Sequence, residues 1–292
     1  MTSLVESASE PILHKKSSIG RERLLLLSRS KLFLTGMVIV LFWVLSALFG
    51  KDLVPYGPNQ INLLNTLSPP SLAHWFGTDQ FGRDIFSRVI VGSRDILIVA
   101  PLATILGTVF GTFMGLVMGY MRGFVDDAIG RLIDAFLALP VLIIAMLVIT
   151  ALGNTVYTII VTIGLSFGLI IGRVVRSAVL NERDLDYIAA ANLRGESAFY
   201  IMFVEILPNV VQPIMVETTV RLGYAIFTVA SLSFLGLGIQ PPSPDWGLSI
   251  SENYGMISGG YWWTVLFYAL AIGSLVVSVN LVAEGIKGAL DA

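Results

Sequence analysis

Residues 96–121 run without a single Lys, Arg, Asp or Glu. That stretch limits what the chain can fold into more than any other feature. A helix crosses ~30 Å of hydrocarbon in about 20 apolar residues, each rising ~1.5 Å. Five further runs are of the same kind: 34–49, bounded by Lys31 and Lys51; 135–152, after Asp134; 156–172, ending at Arg173; 210–239, interrupted by Glu217 and Arg221; and 262–283. Tyr261, Trp262 and Trp263 open the last one as an interfacial aromatic anchor. The expected fold is therefore an all-α membrane protein with six transmembrane helices. Charged residues make up 13% of the chain against roughly 25% in soluble domains, and this removes a large soluble core as the alternative. Pro140 is expected to kink or cap the third span.

Other function classes fall to simple absences in the sequence. A net charge of -2 offers no basic field for nucleic acid. Without cysteine there is no disulfide framework, thiolate metal site or Cys nucleophile. The two histidines, His14 and His74, are too far apart for a metal cluster. No Ser/His/Asp, His/Glu or Asp/Asp constellation suggests a membrane-embedded enzyme. A self-powered secondary transporter or channel is the competing class; it would want a driving-ion site and often an internal repeat. No repeat is visible, and Glu217 is the one carboxylate placed well inside a span.

Lys and Arg are distributed unevenly between the two sides. With the N-terminus inside, segments 1–33, 122–134 and 173–208 hold six, two and four, and Lys287 makes thirteen. The outside segments hold four: Lys51, Arg83, Arg88 and Arg94. Positive charge retained inside puts both termini in the cytoplasm. The charged leader is too long for a cleavable signal, so the first span is expected to stay as an anchor. The organisation that follows is a cytoplasmic tail (1–33), a first transmembrane helix (34–50), an extracytoplasmic segment (51–95), a five-helix core (96–283) and a cytoplasmic C-terminus (284–292).

Two spans carry a small-residue pattern. Gly107, Gly111, Gly115 and Gly119 recur every fourth residue, as do Gly164, Gly168 and Gly172. That spacing lines one helix face, which either receives another helix closely or lines a pore.

Between two apolar runs lies a polar stretch, 181–209, "NERDLDYIAAANLRGESAFYIMFVEILPN". Asp184 or Asp186 is expected to cap a short helix that ends at Arg194, with Gly195 stopping it in a left-handed conformation. Leu185, Ile188, Ala189 and Asn192 share one face, and Ala190, Ala191 and Gly195 add a small flat surface. Ser197 is expected to start a second short helix through Phe199, Tyr200 and Phe203 to Leu207, broken by Pro208. The pair either receives a close-fitting partner or rests on the bilayer surface.

"DYIAAANLRG" followed by "EILPN" resembles the cytoplasmic signature of ABC-importer permease subunits, E-A-A-x-x-x-G and then I-x-L-P. Ala190, Ala191, Gly195, Leu207 and Pro208 match; Ala189 replaces the glutamate and Glu205 the isoleucine, while Asp184 and Asp186 still precede the motif. "GTDQFGRDIFSRVIVGSR" (77–94) and "SFLGLGIQPPSPDWG" (233–247) resemble the dipeptide, oligopeptide and nickel permeases, C-type subunits in particular. Gly77, Asp79, Gly82, Arg83, Asp84, Pro241, Pro242, Trp246 and Gly247 carry that likeness. The resemblance implies a type I (MetI-like) transmembrane fold with cytoplasmic coupling helices, in a bacterial or archaeal inner membrane. The implied partners are a second permease, two ABC ATPases, an extracytoplasmic solute-binding protein and membrane lipids, with no nucleic acid. Asp186, Tyr187, Ala190, Ala191, Gly195, Glu205, Leu207 and Pro208 would contact or serve the ATPase. The implied cargo is a peptide; close relatives carry nickel chelates, glutathione or oligosaccharides. The sequence has no G-x-x-x-x-G-K-[ST] loop, so the chain itself is expected to be no enzyme and to carry no cofactor, ATP and Mg being held by partner subunits.

Three features stay open on residues alone. The alternating charges Asp79, Arg83, Asp84, Arg88, Arg94 and Asp95 read as a solvated helix face held by local ion pairs, or as an element beside a partner. The loop 240–261, with Asp245 and Glu252 its only charges, reads as a binding-protein dock or as a plain interfacial loop anchored by Trp246. Glu217 and Arg221 are either an internal ion pair or part of the pathway.

Overall fold

The computed structural model describes residues 26–290. His14 and the basic residues Lys15, Lys16, Arg21 and Arg23 of the tail lie outside the described residues. Among the described residues five helices are long and apolar enough to span a membrane: α1 (Lys31–Leu53), α2 (Ile85–Met121), α5 (Val156–Arg183), the continuous helix ending in α7 (Leu207–Phe234), and α9 (Trp263–Leu290). Between α2 and α5 come α3 (Gly123–Leu137) and α4 (Val141–Leu152). The short helix α6 (Asp186–Leu193) precedes α7, and α8 (Trp246–Asn253) precedes α9. Side-chain oxygens cap three spans where the sequence supplies them: Ser30 accepts from Phe33 N, Asp84 from Ser87 N and Thr155 from Thr158 N.

The most extensive helix pair is α2 with α5, and the glycine pattern builds it. A Cβ on Gly107 would stand 2.6 Å from the Gly164 carbonyl oxygen, and one on Gly115 2.6 Å from that of Gly172. Gly111 meets Gly168 in the same way, and Gly119 meets Val179. The glycine stripe is therefore a packing surface, the first of its two readings. Residue numbers rise together along both helices, so α2 and α5 run parallel. α1 and α9 cross antiparallel at Gly36 and Gly285, which press on Ser278 and Phe33 respectively. Trp43 Nε1 pins the same pair by donating to Ser274 Oγ at 3.0 Å.

Parallel α2 and α5 demand a full return crossing between them. Arg122 pairs with Asp184 at 2.7 Å, which places the end of α2 beside α6. Asn154 Nδ2 donates to Gly236 O at 3.4 Å, which places the start of α5 at the opposite, α8 end. The chain thus travels the height of the bundle between residues 122 and 154. The expected single span over 135–152 is here two helices, bent by 87°. With 12 residues, or ~18 Å of rise, α4 is too short to cross alone. Pro140 supplies the break, since it has no N–H to continue a ladder and restricts the residue before it. On α3, Asp126 takes Arg176 of α5 through two nitrogens (2.5 and 2.6 Å), and Asp134 takes Arg173.

Helix bounds move outward from the apolar runs. α2 begins at Ile85 rather than 96, capped by Asp84, and α5 runs to Arg183 rather than 172, its added turns packing Val175 and Val179 against the 181–209 stretch. Pro208 does not break the chain before α7. One turn at Ala198–Tyr200 passes through a π-helical segment, Ile201–Ile206, directly into α7, and the wider turn just before Pro208, where Leu207 N–H bonds to Met202 O, takes up the missing N–H within a continuous helix.

Candidate functional site

At one end of the bundle the polar stretch 181–209 forms a plate. Its inner side is apolar: Ile188, Ala191, Ile201 and Ile206 are buried against Leu116 of α2 and Ile171, Val175 and Val179 of α5. Ala191 therefore belongs to the underside, not to the exposed small surface expected of it. The expected common face of Leu185, Ile188, Ala189 and Asn192 also divides, since only Ile188 turns inward. No acid caps α6. Leu185 holds the cap position without a side-chain bond, Asp186 stands in the first turn, and Asp184 has turned to Arg122. Gly195 ends the helix at φ 77°, and Ser197 accepts from Tyr200 N, both as the sequence suggests.

Polar bonds tie the plate to three helices. Arg183 donates to the Tyr120 carbonyl and lies over its ring. Tyr187 donates its hydroxyl to Glu182 at 2.6 Å and accepts from Asn209 Nδ2 at 3.0 Å, joining α5, α6 and α7. Burial, together with the Glu182 acceptor, pushes the Tyr187 hydroxyl up to about 12. Arg194 reaches Glu205 at 3.0 Å; the departure from the motif at Glu205 thus supplies the anion for the end of α6. What remains outward is Asp186, Ala189, Ala190, Gly195 and Pro208, with Leu193 90% and Phe199 65% exposed.

At the α8 end Asp79, Arg83, Asp84 and Arg88 form a largely buried clamp, not the solvated face their alternating charges suggest, while Arg94 is exposed as expected and half-buried Asp95 accepts from Ser243. Asp79 is wholly buried; it accepts from Phe81 N and Arg83 N and pairs with Arg83 Nε at 2.5 Å. Arg83 also reaches Glu252 at 2.5 Å. Burial opposes its charge, but Asp79 and Glu252 outweigh that and raise its pKa. Asp84 caps α2 and takes His74 Nδ1 at 2.9 Å. Arg88, also buried, donates to Pro58 O, Asn59 Oδ1 and Ser249 Oγ at 3.0–3.1 Å. Gly77 and Gly82 have left-handed φ and no room for a side chain, Ser68 O and Asn62 O filling the space. Trp246 is fully buried, donates to Val89 O at 2.9 Å and stands edge-on to Trp43 at 4.8 Å. Gly247 sits against the Ala230 carbonyl, while Pro241 and Pro242 join through a cis peptide. Of the expected aromatic anchor only Trp262 is well exposed; Trp263 turns inward to Thr78 O.

The model of the binding-protein-dependent transport system inner membrane component covers residues 107–292, and that of the N-terminal TM domain of oligopeptide transport permease C covers 18–70. The chain belongs to the binding-protein-dependent inner-membrane transport family. It is 38% identical over 271 residues to the dipeptide transport system permease protein DppC of Alkalihalophilus pseudofirmus, covering 93% of this chain and 89% of the relative. It is 39% identical over 269 residues to the DppC of Escherichia coli, covering 90% and 89%. The oligopeptide transport system permease protein OppC of Bacillus subtilis is 33% identical over 283 residues, covering 97% and 92%. The chain is accordingly a multi-pass permease subunit of a transport complex of the ABC class.

Glu217 and Arg221, the charges inside α7, pair with each other at 2.5 Å. Arg221 lies 5.3 Å from the Tyr224 ring centre. Sequence reasoning missed Glu252, His74, Asn59, Ser249 and Tyr120, whose partners lie 10 to 169 residues away with no periodic signal.

Proposed function

We propose that this chain forms half of the translocation pathway of an ATP-driven importer of dipeptides or oligopeptides, and that α6 is its contact with an ABC ATPase. The observation that carries the reading is the plate at 181–209. Its underside is locked to α2, α5 and α7, while its outer face offers small residues flanked by Leu193 and Phe199. A partner pushing on that face moves three helices together, which is what rigid-body alternating access requires. A second permease, two ATPases holding ATP and Mg, and an extracytoplasmic solute-binding protein complete the assembly, with both termini in the cytoplasm. Peptide cargo follows the names of the relatives, the dipeptide and oligopeptide permeases. The clamp at the α8 end serves as the rigid outer frame of the pathway.

Affinity purification of the tagged chain in mild detergent, followed by mass spectrometry, tests the proposal. Recovery of a second permease and ATPase subunits, with the ATPases lost in Ala190→Trp, supports it. Recovery of the chain alone, or as a homo-oligomer, argues for a secondary transporter.

A further inference from the structure

A charged pair half-way along a membrane helix is costly unless it meets water or protein. Glu217 and Arg221 have polar neighbours: Thr218 and Tyr224 on α7, and Thr108 on α2. Between its charged ends α1 exposes apolar side chains, Val38, Leu41, Leu45 and Leu48 among them, with Thr35 the one polar side chain exposed there. On α7 Tyr224 is exposed and Thr219 half-buried beside the pair, and the two charged side chains keep 16% and 18% of their surface open. Thr218, one residue on, bonds Thr108 of α2 at 3.0 Å, so the pair sits beside the central helix rather than on the outer rim.

The chemistry of the pair is that of a small zwitterion in reverse. Glu217 offers an anion to an ammonium group, and Arg221 offers a planar two-pronged donor to a carboxylate. Positions four apart on a helix lie ~6 Å apart along its axis. The termini of an extended dipeptide are separated by up to about 7 Å. In the structure the two side chains neutralise each other at 2.5 Å. A zwitterionic solute can exchange with that bond, each half of the pair taking the opposite terminus, so no bare charge is left in the membrane at any stage. The fastening of α7 to α6 through Tyr187 and Asn209 places the pair on an element that the plate moves.

We infer that Glu217 and Arg221 form a transient subsite for the two charged termini of a peptide in transit. The inference rests on the importer reading above and adds a ligand contact to it. The test uses the complete transporter in proteoliposomes with its binding protein and radiolabelled alanyl-alanine. Glu217→Gln and Arg221→Gln should each lower uptake roughly tenfold, the scale of one charge-assisted hydrogen bond. Assembly and binding-protein-stimulated ATP hydrolysis should stay within about twofold. The double reversal, Glu217→Arg with Arg221→Glu, remakes the ion pair but presents it upside down, and should not restore uptake. Full restoration by the reversal, or normal uptake in both single variants, overturns the subsite and leaves a structural ion pair.

Because the chain has no cysteine, label resolved on this subunit by gel electrophoresis reports the introduced thiol alone, a second readout that needs no charge variant. Tyr224→Cys should react with a hydrophilic maleimide in the intact complex, and alanyl-alanine should slow that reaction; Leu41→Cys should not react. A Tyr224→Cys that never reacts overturns the subsite. Failure of the wild-type complex to take up any peptide with ATP and binding protein is a different result, and it sinks the importer reading itself.

Discussion

The carbonyl oxygen of Gly168 in α5 occupies the place where a side chain on Gly111 of α2 would begin. The two backbones touch with nothing between them, and the same contact recurs one turn above and one turn below. Gly111→Val must separate the helices or distort one of them. Overpacking of this kind costs about 1–3 kcal/mol, so Tm in detergent should fall by several degrees. Gly273→Ala has nothing within 4 Å of the added Cβ and should leave Tm unchanged or slightly raised.

Asp245 caps α8 from a buried position, and burial pushes its carboxyl up to about 6. A carboxyl raised above its ordinary value of 3.8 is held protonated by the folded state. Its contribution to stability is therefore largest at low pH, is lost as pH rises from about 4 to 6, and stays absent above that. Wild-type Tm should fall more between pH 5 and pH 7.5 than that of Asp245→Asn, which keeps the cap but carries no charge. Equal falls in both proteins would contradict the assignment.

Tyr187 joins three helices through one hydroxyl. Tyr187→Phe removes both bonds and keeps the ring. Each bond contributes about 1 kcal/mol, so amide exchange across 186–193 should quicken at least fivefold, with global Tm nearly unchanged. Since the hydroxyl loses its proton only near 12, the wild-type protection should persist up to pH 10.

The third crossing makes a topological prediction. Phe124 is 86% exposed beside the α6 end, and Asn154 lies at the α8 end. Single cysteines at these positions should label from opposite sides of sealed vesicles, Phe124→Cys from the cytoplasmic side. Labelling of both from one side would make α3 and α4 a re-entrant loop.

What the sequence made legible, and what it hid, divides by range. Apolar length marks the spans because the bilayer imposes it, and four-residue glycine spacing marks one smooth helix face, whose use as a contact is settled only by the α5 backbone lying against it. The break at Pro140 was visible as a kink, but the run over 135–152 counts as one span whichever way its halves point. The charges from Asp79 to Arg88 look solvated in a local window. Their burial comes from partners such as Glu252 and Ser249, which only folding brings near. Ala190 and Ala191 are indistinguishable in composition, yet one faces out and the other is sealed beneath, since the axis of α6 is set by Ile188 and the helices under it. Pro208 reads as a stop because proline ends most helices, but the π-helical turn before it lets the helix run on, and nothing in the sequence marks that turn.

The account turns on the outer face of α6 being the seat of an ATPase. Its most direct test places a photo-crosslinking amino acid at Ala190, and separately at Leu41, in native membranes. The account predicts a crosslink from position 190 to a nucleotide-binding subunit, altered in yield when ATP is trapped, and none from position 41. Crosslinks from position 190 to lipid alone, with no ATPase captured in any nucleotide state, would contradict it.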